Sequence, residues 1–460
     1  MEADSSIEAA EKESEISVFK LQEHDFLKEK YPKFSAYFDS LNEIGVEFSE
    51  TEYEGVPDYL GITPDFRANY YIGATWLCPK NKTVFREHKA VVVLPKMENI
   101  DFIKMFLTAL QNHLSSEYFS KFYRIDFSQP SIKTDALDNI LSPLLLLHYI
   151  AVLEQLVKRG LKKDYVFREE NLSSKIRGKI LIQRNLRTNI FKKRADKIFC
   201  RFQESTADTK ENRLLKKALN FSKKMFQTLD FGNTEVRSEL YKKISKVSAA
   251  FDSVSDNIET HEVQSIKTNK CYREYSTAIK IAKMILRRYD YSIENAGVKN
   301  KSVPPFWIDM SRLYEVYVYA LLEKAYPNQI AFQVKGHCKT AVDFIKCDEK
   351  LIMDTKYKPH YKDSNSGIID DIREIAGYAR DKKILKELKV SAESTEEIKC
   401  LIIYPKPVKL LSDEDDEEDT DCKSISDLSS ISSKTLLKFA SPISWFRNFF
   451  KISVELPVIE

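Results

Sequence analysis

Two short apolar runs, each carrying an acid, constrain this chain more than any other feature. They are Thr340-Ala-Val-Asp343-Phe and Leu351-Ile-Met-Asp354-Thr-Lys356-Tyr-Lys358. Their apolar, β-branched character predicts two strands joined by the turn Lys346 to Lys350. Side chains alternate along a strand, so Asp354 and Lys356 point to the same face. Asp343, on the adjacent strand, joins them across the hairpin. Metal-assisted phosphodiester hydrolysis needs such a set. The acids hold Mg²⁺, or Mn²⁺ in its place, and the lysine contacts the attacking water or the developing negative charge. The plain structural alternative is a pair of strand-end acids beside a surface lysine.

The flanking segments place this hairpin in a larger sheet. A helix is expected over Asp309–Ala325, then strands near Ile330–Val334, Ala341–Ile345 and Leu351–Lys356. A helix from Ile369 to about Leu388 follows, then strands at Cys400–Tyr404 and Phe450–Leu456. The order αβββαβ predicts a three-layer α/β domain over 301–460. Its interruption at 411–434 is acidic and Ser-rich, with eight acids between Asp413 and Asp421, and reads as a disordered loop.

At 460 residues the chain has room for two or three domains of ~100–200 residues each. Residues 1–20 read as an acidic flexible tail. Residues 21–136 read as a small α+β module. Residues 137–300 read as a mostly helical adaptor, with helices at Pro143–Val157, Lys210–Leu229, Glu239–Phe251 and Tyr272–Tyr289. The expected fold class is therefore α+β multidomain, and the low count of 11 glycines argues against a turn-rich all-β protein.

The net charge of +3 conceals segregation. Without the eight acids of Asp413–Asp421, 72 basic residues stand against 61 acidic ones, a net of +11. Residues 171–200 hold Lys175, Arg177, Lys179, Arg184, Arg187, Lys192, Lys193, Arg194 and Lys197 against Asp196 alone. Three readings stay open for this stretch: a solvated face, a surface for DNA phosphates, or a dock for an acidic protein partner. Seven scattered cysteines without a CxxC pair exclude a zinc ribbon and a disulfide scaffold, and fit reduced thiols in the cytoplasm. The apolar run Leu141–Leu156 contains Ser142, Pro143, His148 and Glu154, so a buried helix is expected rather than a membrane span.

The hairpin resembles the core of the PD-(D/E)XK nucleases, with Asp343 as the first acid and Asp354-Thr-Lys356 as the (D/E)xK. Val342 stands where that family often has proline. The resemblance implies a restriction-endonuclease-like domain and a third carboxylate on the preceding helix, Glu315 in Ser311-Arg-Leu-Tyr-Glu-Val-Tyr317. After the strands, Asp371, Glu374 and Tyr378 share one helical face at i, i+3 and i+7. With Lys358 they are expected to support the site or face DNA.

More narrowly, the chain is similar to McrC, the nuclease subunit of McrBC restriction systems, and to LlaJI-type relatives, over about 140–460. The similar stretches are Leu313-Tyr-Glu315, Val342-Asp-Phe344, Met353 to Lys358 and Asp371 to Tyr378. Ile176 to Ile180, Cys200 to Glu204 and Asp208 to Lys216 add to these. Glu374 stands where McrC-like proteins carry Gln. The resemblance implies Mg²⁺-dependent cleavage of double-stranded DNA in anti-phage defence, with a McrB-like AAA+ GTPase or ATPase ring as partner. The rival readings are a non-catalytic activator of such an NTPase and a stand-alone nuclease.

The chain has no GxxxxGK[ST], so it is not expected to bind a nucleotide of its own. Asp208 reads as a helix N-cap and Arg213 as a polar helix position, with a place at the motor interface as the alternative for Arg213 or Lys179. His148 is expected in a core. His337 and Cys338 are expected in a loop rather than at a metal, and Tyr70, Tyr71 and Trp76 in a core strand, with stacking on bases as the alternative.

Overall fold

A computed structural model of the chain describes residues 18–43, 52–53, 56–57, 62–63, 65–77, 89–97, 99–109, 122–125, 129–130, 132–134, 137–228, 234–258, 273–294, 302–303, 305–337, 340–358, 366–391, 397–406 and 436–458. The expected acidic loop at 411–434 and residues 1–17 lie outside these. Among the described residues, no helix is long and apolar enough to cross a membrane.

The chain begins with strands β1 (Val18–Gln22), β2 (Tyr71–Leu77) and β3 (Lys89–Leu94), helix α1 (Phe102–Ala109) and strand β4 (Tyr123–Ile125). Helix α2 (Asp138–Arg159) leads to β5 (Asp164–Ser173), β6 (Lys179–Ile180), β7 (Lys197–Thr206), α3 (Lys210–Thr228), α4 (Thr234–Ala250) and α5 (Arg273–Glu294). Then come β8 (Phe306–Asp309), α6 (Met310–Ala325), β9 (Ile330–Lys335), β10 (Ala341–Lys346), β11 (Leu351–Thr355), α7 (Ser366–Tyr378), β12 (Lys399–Lys406), β13 (Ser441–Pro442) and β14 (Phe449–Glu455).

Two compact units result. One combines residues 1–147 with 295–460, and the other is 148–294. The fold is thus α+β in more than one unit, as expected, but the linear division at 136/137 and 300/301 cuts across the first unit. The cause is β8. Phe306, Trp307 and Ile308 are buried, and the backbone N–H and C=O groups of a buried strand need partners on both edges. It finds them in β2 and β4, so the first sheet runs β1-β3-β2-β8-β4. Val18–Lys20, read from sequence as tail, belong to β1 and pair in parallel with β3. Phe19 and Leu21 alternate into the core, which outweighs the acidic stretch before them.

The second sheet of this unit runs β9-β10-β11-β12-β14-β13. Phe332, Phe344 and Met353 are in register on one face, where Tyr319 of α6 stacks on Phe332 and Phe344. Ile345, Ile352 and Cys400 form the other face, packed against Ile368, Ile372 and Ile375 of α7. Helix, sheet and helix make the expected three layers.

In the unit 148–294, α3 and α5 pack together, and β5-β7-β6 form an antiparallel sheet with a ten-residue β5–β7 register. Its core is small: Leu172, Cys200 and Phe202. The long β5 strand was not expected from the sequence.

Gly73 is where β2 and β8 meet most closely. Its φ is +149°, and a Cβ there would sit 1.9 Å from the carbonyl oxygen of Phe306. Gly73→Ala therefore forces the β2–β8 pair apart, at a cost of about 1–3 kcal/mol for the backbone conformation alone. A lowered thermal unfolding temperature is the expected result. An unchanged one would mean that β8 is not held there.

Candidate active site

Strand β8 runs directly into α6 at Asp309. That carboxylate caps the helix by accepting from the backbone N–H of Arg312 at 3.0 Å. Two turns on, Glu315 is buried against the central sheet at 7% exposure.

The β10–β11 register pairs Phe344 with Met353, which puts Asp343 and Asp354 opposite each other where the ladder ends. Asp343 takes over the missing backbone contacts. Its Oδ2 accepts from the Thr355 N–H at 2.8 Å and the Thr355 hydroxyl at 2.5 Å. Asp354 is buried, and Lys356 Nζ lies 2.7 Å from its Oδ2. The same ammonium donates to Glu374 Oε2 on α7 at 2.7 Å. Tyr378, one turn later, donates to Glu374 Oε1 at 2.8 Å. The backbone N–H of Lys356 donates to Ile403 O at 2.9 Å, extending β11 along β12.

One residue of this cluster is absent from the sequence reading. Gln333 lies on β9 opposite Asp343, with a left-handed φ of 51°, a conformation unusual for a side chain of its size. Its amide donates to Glu315 Oε1 and lies 3.4 Å from Asp343 Oδ1. A polar residue in a strand carries no sequence signal of such a role. Only the backbone turn aims it between the two acids.

The electrostatics follow from burial. Glu315 is raised well above the ordinary carboxylate range by burial, and then by Asp343. Burial also raises Asp343, with the Thr355 hydrogen bonds pulling back. Burial and Asp343 push Asp354 from 3.8 to about 7, against the pull of Lys356. Burial works against charge on Lys356, but Asp354 and Glu374 outweigh it and hold the lysine above its usual range. Burial would raise Glu374, yet Lys356 and Tyr378 hold it below its ordinary value.

Of the expected residues, the structure brings together Glu315, Asp343, Asp354, Lys356, Glu374 and Tyr378. Lys358 forms a separate pair with the buried Asp371, at 2.9 and 2.8 Å. The basic residues of 171–200 lie in the other unit, where Lys175, Arg177, Lys179, Arg184, Arg187, Lys192, Lys193 and Arg194 are all exposed. Asp208 is not the cap of α3. That role falls to Thr209, whose hydroxyl lies 3.3 Å from the Asn212 N–H. Asp208 instead holds the Arg213 guanidinium through both oxygens, at 2.8 and 2.7 Å. His148 is buried, as expected. His337 lies outside the strands and bonds Asp381, while Cys338 is outside the described residues.

Among the described residues, no three His, Cys, Asp or Glu side chains stand close enough to enclose a metal ion as they are. The donor chemistry nevertheless fits Mg²⁺, which is usually held by one or two carboxylates, waters and substrate phosphate oxygens. Asp343 and Asp354 offer two hard oxygen ligands. The Gln333 amide and the Lys356 ammonium are hydrogen-bond donors beside these acids.

A family model described as "McrBC 5-methylcytosine restriction system component" matches residues 68–371. No curated protein matches the chain. Two solved structures from Thermococcus gammatolerans are similar to it. One is a refined half-complex from a tetradecameric assembly of McrB AAA+ hexamers with bound McrC. It is 15% identical, with a TM-score of 0.36, and the match covers 96% of this chain and 95% of that one. The other is a cryo-EM structure of the McrBC complex, 16% identical with a TM-score of 0.30, covering 66% and 87%.

A carboxyl whose folded pKa lies above its unfolded value contributes stability below about pH 4 and loses it as pH rises through about 7. Asp354→Asn removes that loss. In chelator at pH 8 the variant is expected to melt about 2–4 °C above wild type, with the gap closing towards pH 4. An equal or lower melting temperature at pH 8 would contradict the mutual repulsion of these acids.

Proposed function

This chain belongs to the McrBC family of 5-methylcytosine restriction system components, and from that premise we propose that it is the nuclease subunit of such a system, cutting DNA phosphodiesters when driven by an AAA+ NTPase ring. The observation that carries the reading is Lys356, held between Asp354 and Glu374 with Asp343 opposite. The arrangement is the one expected of a PD-(D/E)XK core.

Bound between Asp343 and Asp354, Mg²⁺ would offset the charge of the scissile phosphate and favour ionisation of the attacking water. The chain's own residues set the geometry. Thr355 fixes one oxygen of Asp343, leaving the other towards Gln333 and Glu315. Lys356 stays protonated and presents its ammonium where a phosphoryl oxygen gathers charge. Glu374 and Tyr378 keep the lysine from folding back onto Asp354 alone. Glu315 adds a third carboxylate once its Gln333 contact is released.

The activator reading, with an inactive nuclease fold, fits less well. Buried acids placed to raise one another's pKa cost stability and mark functional sites more often than structural ones. The stand-alone reading meets a different obstacle in the unit 148–294. Tyr165, Phe167, Ile176, Ile182, Ile190 and Phe191 are exposed there, two of them by about three quarters (Tyr165 74%, Phe191 77%). Ile176, Ile182, Ile190 and Phe191 lie within the basic stretch 171–200, and Tyr165 and Phe167 lie on β5 just before it. Phosphate binding needs the charge but not the apolar side chains. Exposed apolar groups rimmed by charge mark protein interfaces. This surface is therefore assigned to the NTPase ring rather than to DNA.

Plasmid cleavage with Mg²⁺, partner and nucleotide tests the proposal. Lys356→Ala is expected to slow cleavage by about 10²–10³-fold, and Asp354→Ala to abolish it. Phe191→Ser, at an exposed position, is expected to lose partner binding without lowering the unfolding temperature. Cleavage that survives Asp354→Ala would remove the site. Partner binding that survives Phe191→Ser together with Ile182→Ser would remove the surface.

A further inference from the structure

The residue after Lys356 is Tyr357, whose side chain meets a different set of groups. It is buried at 2% exposure, and its ring lies 5.8 Å from that of Tyr314 on α6. Two residues of the first sheet reach it across more than 250 positions of sequence. Lys96, just beyond β3, donates its ammonium to the Tyr357 carbonyl at 2.6 Å. The same ammonium lies 4.1 Å from the centre of the Tyr357 ring. Glu23, just beyond β1, accepts from the backbone N–H of Lys96 at 2.9 Å and lies 3.5 Å from the Tyr357 hydroxyl.

A buried carboxylate and a half-buried ammonium are expensive to desolvate, and packing alone is achieved more cheaply with apolar residues. Glu23 is 4% exposed, and its Oε1 receives no hydrogen bond among the described residues. The two groups therefore need a reason beyond filling space. Glu23 holds the Lys96 backbone and faces the Tyr357 hydroxyl, while the target of the Lys96 ammonium is a backbone carbonyl one residue from Lys356 and one from Lys358. At that point β11 has left its ladder with β10, and the Lys356 N–H bond to Ile403 holds one side only. The side chains of Lys356 and Lys358 then diverge to Asp354 and Glu374 in one case and to Asp371 in the other.

We propose that Lys96, steadied by Glu23, is a positioning residue for the active site: its grip on Tyr357 sets the backbone from which Lys356 and Lys358 reach their acids. The first sheet is thus a working part of the catalytic unit. The same two bodies meet again where Ile100 bridges Val458 and the Asp101 N–H donates to Pro457 O at 2.8 Å. This proposal rests on the nuclease reading for its effect on cleavage, but not for its effect on the backbone.

The test uses the full-length chain with Lys96→Met, which keeps the stem and removes the ammonium, and Lys96→Arg, which restores a donor over the ring. Hydrogen exchange of the peptide spanning 353–358 is the first readout. Single-turnover cleavage at saturating DNA with Mg²⁺, partner and nucleotide is the second. Lys96→Met is expected to speed exchange in that peptide about tenfold, leave the 399–406 peptide unchanged, and slow cleavage about tenfold with DNA affinity intact. Lys96→Arg is expected to recover both. Unchanged exchange overturns the proposal, and so does faster exchange with cleavage at the wild-type rate. Should Lys96→Met not fold, Lys96→Leu, which also lacks a donor, carries the same two expectations. A wild-type chain that never cuts would sink the nuclease reading, and the exchange result would still decide the grip on Tyr357.

Discussion

Two carboxylates facing each other at the end of a hairpin ladder are the constraint around which the central sheet is arranged. Opposite side chains on antiparallel strands stand roughly 4.5–5.5 Å apart at Cβ. Two unit charges at that distance cost about 3 kcal/mol at an effective dielectric of 20. Asp343 and Asp354 face this penalty while burial adds to it. The surroundings offset it piecemeal: Thr355 satisfies one oxygen of Asp343, Gln333 approaches the other, and Lys356 lies against Asp354. Each compensating group comes from a different strand position, so the site exists only when β9, β10 and β11 are in register.

The helix that brings Glu315 depends on a different sheet. Strand β8 is the inner strand between β2 and β4, and its last residue, Asp309, is the cap of α6. The direction in which α6 leaves is thus set by residues near the start of the chain. Gly73 allows the close β2–β8 approach, and the Phe122 carbonyl accepts from the Asp309 N–H at 2.7 Å. Joining the two sheets in one unit lets the positions of one acid and one lysine be fixed from outside the strands that carry them.

The unit 148–294 follows another logic. Its sheet buries only Leu172, Cys200 and Phe202, too little to shape a ten-residue ribbon by packing. Polar pairs do much of that work instead. The Asn171 and Asn189 side-chain amides bond each other at 2.9 and 2.8 Å, and Arg184 pairs with Glu169. Large apolar side chains are left exposed, an arrangement that a partner surface explains and a self-contained core does not.

Much of the site was legible because period two is local. Asp343, Asp354 and Lys356 announce themselves by alternation within short apolar strands, and α7 by the spacing of Asp371, Glu374 and Tyr378. Glu315 was legible only through the resemblance, since a helical acid near an arginine reads equally well as solvated. Gln333, Lys96 and Glu23 were not legible at all. Their roles arise from a backbone turn and from contacts across hundreds of positions, which no local period records. The same division holds for the fold. Most strand and helix positions from Met310 onward, the αβββαβ order and the acidic and basic segments were determined by the sequence, because side-chain periodicity and charge act over a few residues; β1 and the long β5 were not. Which sheet received β8, and hence how the first and last thirds of the chain became one unit, was decided only in tertiary structure. The backbone groups of a buried strand must be paired on both edges, but its sequence does not say by which partners.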